Sequence, residues 1–171
     1  MEQIRLKKEY FDSFFALLEQ SFPPEEYRKK EKQLALLDDS RYEATVLMQN
    51  DTVTALIGAW RLDDFIFIEH LAVSPSLRNK GIGSAFVSEY VSSSSLPVVL
   101  EVENINEELP QRRIGFYKRL GFVLTDVCYN QPNFIESDVE IPLRIMYHAK
   151  DGVPFDLSKV KDAIFSKIYK Q

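Results

Sequence analysis

A basic, glycine-containing segment at positions 78–83 has the residue types that bind a phosphate group. Its glycines carry no Cβ, so the backbone there can turn tightly and come close to a ligand. The segment follows an apolar run at 65–73 and opens an amphipathic run at 82–91, which predicts a turn from a strand into a helix. The first amides of a helix have no intrahelical partner and suit a phosphate, and Arg78 and Lys80 add positive charge.

Two common phosphate-binding motifs do not fit this segment. A dinucleotide-binding unit has the spacing G-x-G-x-x-G, whereas the spacing here is R-x-x-G-x-G with three predicted strands before it. A P-loop ends in G-K-[ST], and Gly83-Ser84-Ala85 lacks the lysine. A nucleotide-binding domain and a plain strand-to-helix turn both stay open as alternative interpretations.

The elements that must position this segment have the order β-α-α-β-β-β-α-β-α-β-β, followed by a terminal helix. This order predicts a mixed α/β fold and not the strict alternation of a doubly wound sheet. No internal repeat or domain boundary is visible, so residues 1–171 are predicted to form one domain. The predicted strands lie around Ile4 and at 42–48, 53–62, 65–73, 97–103, 122–129 and 140–148, and the predicted helices at 11–22, 25–37, 82–91, 111–120 and 157–169.

Composition narrows the classes of partner. The chain has 171 residues, 45% of them apolar, and a net charge of −5, which argues against nucleic acid and mildly favours cationic partners. A single cysteine, Cys128, cannot form an internal disulfide, so we expect a reduced, cytoplasmic location. With one cysteine and two histidines no Cys/His metal site is expected, and no apolar run approaches the ~20 residues of a membrane span.

Three pieces of the chain resemble the GNAT superfamily of acyl-CoA-dependent N-acyltransferases. The segment 71–83 resembles the pyrophosphate-binding motif of that family, and the strand 98–103 stands where the family has a strand that splays from its neighbour. Phe116-Tyr117-Lys118-Arg119-Leu120-Gly121-Phe122 resembles its second motif. The resemblance, firm from about 65 to 122, implies a mixed, centrally splayed sheet of about seven strands flanked by helices, with acetyl-CoA as acyl donor and no metal.

The resemblance also implies a cofactor site. The backbone of 71–73 would meet the pantetheine arm, because strands that diverge leave N–H and C=O groups without partners. The asparagine that follows the second central strand in many relatives corresponds to Asn104, although the loop before Tyr117 is longer here. The residues expected to hold acetyl-CoA are Leu71, Ala72, Val73, Arg78, Asn79, Lys80, Gly81, Ile82, Gly83, Ser84 and Asn104.

Two residues are candidates for catalysis. Tyr117 would lie near the thioester sulfur and protonate or hydrogen-bond the leaving thiolate; its alternative is a half-buried core aromatic. Glu69 sits in an apolar strand, where strict alternation places it on the face of Leu71 and Val73, with His70 on the other face as a structural residue. It is interpreted either as a base for the ammonium of an amine or as a salt-bridge partner, with Glu101, Glu103 or water as alternative bases.

These observations predict a cytoplasmic N-acetyltransferase that moves acetyl from acetyl-CoA to a primary amine by direct attack in a ternary complex. The acceptor is a small-molecule or peptide amine, no membrane or nucleic-acid partner is expected, and such folds often form homodimers. The alternative function is a non-catalytic CoA-binding sensor or regulatory module. The resemblance makes the first helical region, 11–37, a candidate cover for the acceptor site, with Phe22, Tyr27, Glu25 and Glu26 as candidate contacts. A solvated helix face is the favoured interpretation of the two acidic residues.

Overall fold

The computed structural model describes residues 2–103, 108–131, 141–150 and 155–169. Its strands form one seven-stranded sheet with the order β1-β2-β3-β4-β5-β7-β6. The strands are β1 (Glu2–Arg5), β2 (Tyr42–Gln49), β3 (Thr52–Arg61), β4 (Ile66–Val73), β5 (Val98–Glu103), β6 (Val123–Gln131) and β7 (Ile141–His148). The helices are α1 (Phe11–Ser21), α2 (Lys30–Ala35), α3 (Ile82–Ser93), α4 (Glu108–Arg119) and α5 (Val160–Ile164).

The sheet opens at its centre. Only β4 and β5 run parallel, and they pair at three positions, from Ile66 with Val98 to Ile68 with Leu100. The other neighbours are antiparallel. Beyond Ile68 no described strand pairs with β4 on its β5 side, so the two central strands diverge. The expectation of a mixed, centrally splayed sheet of about seven strands is confirmed.

Both faces of the sheet are covered by apolar clusters, as the continuous apolar run of β4 predicts. One cluster joins α1 and α5 to the sheet and includes Phe14, Trp60 and Phe67. The other joins α3 and α4 to the sheet and includes Ile68 and Phe86. The central strands are therefore held rigidly from both sides at the point where they begin to separate.

Two predicted helices differ in form from the prediction: the second is shorter, and the terminal one keeps its predicted bounds but changes helix type along its length. The second helix does not run from 25 to 37: a single helical turn, Pro24–Glu26, is followed by extended backbone at Tyr27, and α2 begins only at Lys30. The terminal helix begins as a single turn, Leu157–Lys159, continues through α5 and ends in a wider π-helical turn, Phe165–Tyr169. Extended backbone before α2 is what lets Arg28 reach the sheet.

A β-bulge at Glu69 changes which side chains share a face of β4. Gly58 of β3 pairs with His70, whereas the next residue, Ala59, pairs with Ile68, so Glu69 is the extra residue of β4. One extra residue shifts the alternation by one position. Glu69 and His70 therefore both point to the side of the sheet that α1 covers.

The prediction that Glu69 shares the face of Leu71 and Val73 is therefore wrong. Leu71 and Val73 pack against the cluster formed with α3 and α4. Glu69 instead contacts Arg28 and Trp60 on the other side of the sheet. The prediction assumed unbroken alternation, and the bulge arises from pairing with β3, which the sequence of β4 alone does not reveal.

Candidate active site

The glycine segment turns β4 into α3 and leaves helix amides exposed at the turn. Gly81 has φ +75° and precedes the first residue of α3, a conformation that glycine adopts without strain. The first hydrogen bond of the helix runs from the Ala85 amide to the Gly81 carbonyl at 3.0 Å. The amides of Ile82, Gly83 and Ser84 therefore lie at the helix N-terminus, where no intrahelical acceptor exists.

A cleft of about 530 Å³ lies in front of these amides, and we call it the donor cleft. Seven of the residues predicted to hold the cofactor line it, together with four residues of α4 and Leu77. Three arginines give the cleft a positive lining. Its residues are Leu71, Val73, Leu77, Arg78, Asn79, Gly81, Gly83, Ser84, Arg113, Phe116, Tyr117 and Arg119.

The other predicted cofactor residues do not line the donor cleft. Ala72 points through the sheet into the cluster around α1, because side chains alternate along β4. Ile82 packs its side chain against the cluster around α3, and Lys80 is exposed outside the cleft. Asn104 lies outside the described residues, so its role stays a prediction.

Gly83 is the position where the donor cleft is most sensitive to side-chain size. A Cβ there would lie 3.3 Å from Val73 Cγ2 and 3.9 Å from Phe116 Cζ. Arg78 closes the same end of the cleft by donating from Nε to the Val73 carbonyl at 3.0 Å. The loop is thus tied to the end of β4 through its backbone.

Arg113 is the main site residue that the sequence analysis did not select. It precedes Tyr117 by four residues on α4, so the two lie on one face of the helix. Arg113 lines the donor cleft and both smaller cavities beside it. The i, i+4 spacing from Tyr117 was the available signal for this residue.

Tyr117 stands where the donor cleft meets the smaller cavities. It lines the donor cleft and one of those cavities, and only 6% of its surface is exposed. Its ring packs edge-on against Phe116 and Phe122 at centroid distances of 5.2 and 5.5 Å. Burial raises the pKa of Tyr117 to about 12, so the phenol carries its proton at neutral pH.

Two small adjoining cavities, of about 50 and 60 Å³, lie beyond Tyr117 between the diverging strands; together we call them the inner chamber. Phe22, Glu69, Glu101 and Arg113 line both cavities. Carboxylates dominate the polar lining. The remaining residues of the chamber are Glu26, Ile68, Leu71, Leu100, Glu103, Tyr117, Gln131, Ile141 and Leu143.

Glu69 is held in a buried ion pair. Arg28 Nη1 lies 2.9 Å from both carboxylate oxygens, and Trp60 Nε1 donates to Oε2 at 3.1 Å. The Glu69 and Arg28 side chains are 3% and 8% exposed. Burial opposes the charged form of Glu69, but the nearby positive charge and the donated hydrogen bonds outweigh it and hold the pKa below its usual range. These contacts match the salt-bridge interpretation of Glu69.

His70 makes structural contacts, but it lies on the same side of the sheet as Glu69 and not on the opposite face that strict alternation predicted. Its Nε2 lies 2.8 Å from the Glu26 carbonyl, and its ring packs edge-on against Phe22 at 5.0 Å. Burial lowers the pKa of His70, although the neighbouring Glu69 opposes that shift. The imidazole thereby fixes the turn Pro24–Glu26 over the inner chamber.

The other carboxylates of the chamber differ in their partners. Glu101 accepts hydrogen bonds from Tyr129 Oη and, at 2.6 Å, from Tyr169 Oη, and burial raises its pKa to about 7. Glu103 lies 3.4 Å from Arg113 Nη1. Burial and then the Glu103 charge raise the pKa of Glu26 to about 6.

Within the described part of the chain, no three His, Cys, Asp or Glu side chains are arranged to hold a metal ion. None of the helices in those same residues is long and apolar enough to cross a membrane.

Comparison with known proteins decides the family. The family model described as "Acetyltransferase (GNAT) family" matches residues 5–122, well over half of the chain. The chain belongs to the GNAT acetyltransferase family. Among curated proteins it is similar to YjbC of Bacillus subtilis (strain 168), which is provisionally named an acetyltransferase. The two are 27% identical over 112 residues, which are 64% of this chain and 56% of YjbC. The matched region thus spans about half the length of that relative.

Solved GNAT structures share the fold over nearly the whole chain. A provisionally named GNAT acetyltransferase from Bacteroides thetaiotaomicron superimposes with a TM-score of 0.89 at 30% identity, covering 100% of this chain and 99% of the other. An aminoglycoside 6'-N-acetyltransferase complexed with coenzyme A gives a TM-score of 0.65 at 18% identity, covering 91% and 99% of the two chains. The latter likeness concerns the fold alone.

Proposed function

We propose that this GNAT protein transfers an acetyl group from acetyl-CoA to a primary amine by direct attack within a ternary complex. The observation that carries the proposal is the arrangement around Tyr117. On one side lies the positively lined donor cleft with its exposed helix amides, and on the other the carboxylate-lined inner chamber. The donor cleft suits an anionic acyl donor, and the inner chamber suits an ammonium group.

The donor cleft has the groups that a CoA thioester needs. A pyrophosphate would be held by the amides at the start of α3, by the helix dipole and by Arg78. The pantetheine arm carries amides, which can pair with the backbone of β4 where β5 has diverged. The aminoglycoside N-acetyltransferase of similar fold binds coenzyme A, which supports the same ligand here.

The inner chamber has the charge of an amine site. Four carboxylates line it, whereas Arg113 is its only lining cation among the described residues. Acetyl-CoA held in the donor cleft would supply an activated acyl carbon to an amine in the chamber. The amine would form the new C–N bond, the C–S bond would break with its electron pair on sulfur, and the proton lost by nitrogen would pass to solvent or to the thiolate.

Tyr117 would stabilise the leaving sulfur mainly by a hydrogen bond. Its pKa of about 12 exceeds that of an ordinary thiol by roughly 3.5 units, so complete proton transfer to a thiolate costs roughly 5 kcal/mol. A hydrogen bond to a charged acceptor still contributes about 1.5–3 kcal/mol. We therefore assign Tyr117 the role of a hydrogen-bond donor to the departing thiolate.

Direct transfer is favoured over a covalent enzyme intermediate by the position of the thiol. Cys128 is exposed on β6 and lines neither the donor cleft nor the inner chamber. The role of Glu69 as the base stays a prediction, and its ion pair with Arg28 favours a structural role. We further propose that residues 1–171 act as one domain and that the protein can form a homodimer. The single cysteine favours a cytoplasmic location.

Two measurements test the function. Calorimetry should show CoA and acetyl-CoA binding more tightly than ATP or NAD, and a panel of primary amines should release free thiol from acetyl-CoA. No CoA binding at millimolar ligand would refute the donor site, and tighter ATP binding would favour a nucleotide site. CoA binding without thiol release for any amine would favour the sensor or regulatory alternative.

A further inference from the structure

Phe22 is the aromatic side chain that lines both cavities of the inner chamber, and it does so from the turn that follows α1. We propose that Phe22 sets the length of the acyl group that the protein accepts, by closing a pocket that has room for acetyl and little more. This inference rests on the proposed function and adds to it a residue that determines specificity for the donor.

The two cavities of the inner chamber differ in how they join the donor cleft. The cavity of about 50 Å³ shares three lining residues with the donor cleft, namely Leu71, Arg113 and Tyr117. The cavity of about 60 Å³ shares only Arg113 with it. The acyl group of a thioester in the donor cleft therefore enters the first cavity, which we call the acyl pocket. The second cavity, which we call the amine pocket, lies farther from the donor and receives the acceptor.

The linings of the two pockets fit this division. Four apolar side chains line the acyl pocket: Phe22, Ile68, Leu71 and Leu100. The carboxylates that line the amine pocket alone are those of Glu26 and Glu103. Glu69 and Glu101 border both pockets, but each already accepts hydrogen bonds from neighbouring side chains. An apolar acyl chain thus suits the first pocket, and a charged amine suits the second.

The backbone and one ring contact hold Phe22 in place. Its amide donates to the Leu18 carbonyl at 3.0 Å, which ends α1. Pro23 follows, and a residue before proline is restricted to extended backbone, which Phe22 adopts with φ −132° and ψ 146°. Its ring packs edge-on against His70, and His70 Nε2 in turn lies 2.8 Å from the Glu26 carbonyl. The ring is therefore poorly able to move aside for a longer chain.

The size of the acyl pocket limits what can lie against this ring. Its volume of about 50 Å³ is the space of roughly one or two water molecules, since a water takes up about 30 Å³ of the liquid. Acetyl places a single methyl group beyond its carbonyl carbon, whereas propionyl and butyryl add one and two methylene groups. One methylene in a hydrophobic pocket changes specificity by about 10- to 200-fold. The pocket should therefore discriminate strongly against longer acyl groups.

The first test is calorimetry with acetyl-CoA and butyryl-CoA, which requires no acceptor. The wild type should bind acetyl-CoA at least about 10-fold more tightly than butyryl-CoA. Phe22→Ala should bind butyryl-CoA about 10-fold more tightly than the wild type does, because the removed ring leaves space for the added methylenes. Phe22→Leu should shift the affinity in the same direction by a smaller factor, and it provides the test if the alanine variant does not fold.

Phe155→Ala is the matched control for the loss of a half-buried ring. Phe155 lines neither the donor cleft nor either pocket of the chamber, and its ring packs on Tyr147 at 4.9 Å. This variant should keep the wild-type preference for acetyl-CoA. Equal gains in butyryl-CoA affinity for Phe155→Ala and Phe22→Ala would show a general loosening of the fold and would overturn the assignment to Phe22.

The second test measures transfer to an amine found by the acceptor screen. The ratio of kcat/KM for propionyl-CoA to that for acetyl-CoA should be about 10-fold higher in Phe22→Ala than in the wild type. An unchanged ratio in both Phe22 variants, or a wild type that binds and uses all these donors equally, would overturn the inference and leave the proposed function intact. Absence of CoA binding by the wild type would refute the proposed function and, with it, the acyl pocket.

Discussion

The donor cleft and the inner chamber meet at Tyr117 but are built from different kinds of groups. The donor cleft takes most of its lining from one continuous stretch, 71–84, and its polar groups include backbone amides at the start of α3. The inner chamber takes its lining from a turn after α1, from β4, β5, β6 and β7, and from α4. Backbone groups form much of the donor cleft, whereas side chains from distant positions in the sequence form the inner chamber.

This difference predicts how each site responds to substitution. A site made of backbone groups is sensitive where a new side chain would fill its space and tolerant elsewhere. A site made of buried charges is sensitive wherever one partner of a pair is removed, because the remaining charge loses its compensation. The following variants test that contrast, beginning with the largest expected effect.

Glu69→Gln should destabilise the protein by about 3 kcal/mol, because it removes the buried carboxylate charge that lies 2.9 Å from the Arg28 guanidinium. Urea unfolding at pH 7 measures the change. Glu43→Gln is the matched control, since Glu43 forms a partly exposed 3.7 Å pair with Arg61 and should change stability by less than about 1 kcal/mol. Equal stabilities for both variants would contradict the ion-pair role of Glu69.

The same ion pair predicts a pH dependence of stability. The folded pKa of Glu69 lies below its usual value of 4.5, so its contribution is fully present above that pH and is lost as the pH falls through the folded pKa. The stability of Glu69→Gln should therefore depend less on pH than that of the wild type in this acidic window. Urea unfolding of both proteins between roughly pH 3 and 6, where the carboxyl changes its charge, measures this difference. If the stability of the variant and of the wild type changed in parallel with pH, the prediction would be contradicted.

Gly83→Val should weaken CoA binding about 100-fold, or roughly 2.7 kcal/mol, while the protein stays folded. Even a Cβ would lie 3.3 Å from Val73 Cγ2, and the larger side chain would block the space in front of the α3 amides. Calorimetry measures the dissociation constant. Gly115→Ala on α4 is the control, since a Cβ there meets only Arg119 at 3.5 Å. A folded Gly83→Val variant with wild-type CoA affinity would mean that CoA binds outside the donor cleft.

Tyr117→Phe should lower kcat about 30-fold, which corresponds to the loss of roughly 2 kcal/mol from a hydrogen bond to a charged sulfur. The dissociation constant for acetyl-CoA should not change, because the phenol acts when the thiolate forms. Steady-state rates and calorimetry measure the two quantities, with Tyr147→Phe as control. Wild-type turnover in Tyr117→Phe would reduce Tyr117 to a packing residue.

Arg113→Gln should have the smallest effect on stability, within about 1 kcal/mol, because its pair with Glu103 is half exposed. Its charge lowers the pKa values of Glu26 and Tyr117, so both should rise in the variant. An NMR titration of the Glu26 carboxyl, which titrates at about 6 in the wild type, measures the shift. No shift would mean that solvent screens the Arg113 charge from Glu26.

The donor cleft could be predicted from the sequence because its parts are neighbours along the chain. Turn glycines, a following amphipathic helix and an apolar strand define the backbone path, so Gly81 and Gly83 lie where the pattern placed them. Ala72 was placed in the cleft by position in the motif, although alternation along β4 turns its side chain away. The local sequence pattern therefore predicted the position of the segment correctly, but it did not predict the direction of every side chain.

The inner chamber could not be predicted in the same way. The bulge at Glu69 depends on how β4 pairs with β3, and Arg28 reaches Glu69 across 41 positions in sequence. Tyr169 reaches Glu101 across 68 positions. None of these contacts has a local pattern in the chain.

By itself, the sequence determined the order of the elements and the glycine turn into α3, because both follow from hydrophobic periodicity and from the conformational freedom of glycine. The open sheet was expected from the family resemblance. Only the tertiary structure decided which carboxylate is compensated by a cation and which is left with neutral partners. Desolvation and Coulomb interactions depend on distances and burial across the whole fold. Those two quantities made Glu69 an ion-pair partner and left Glu101, between two phenols, with a pKa near neutrality.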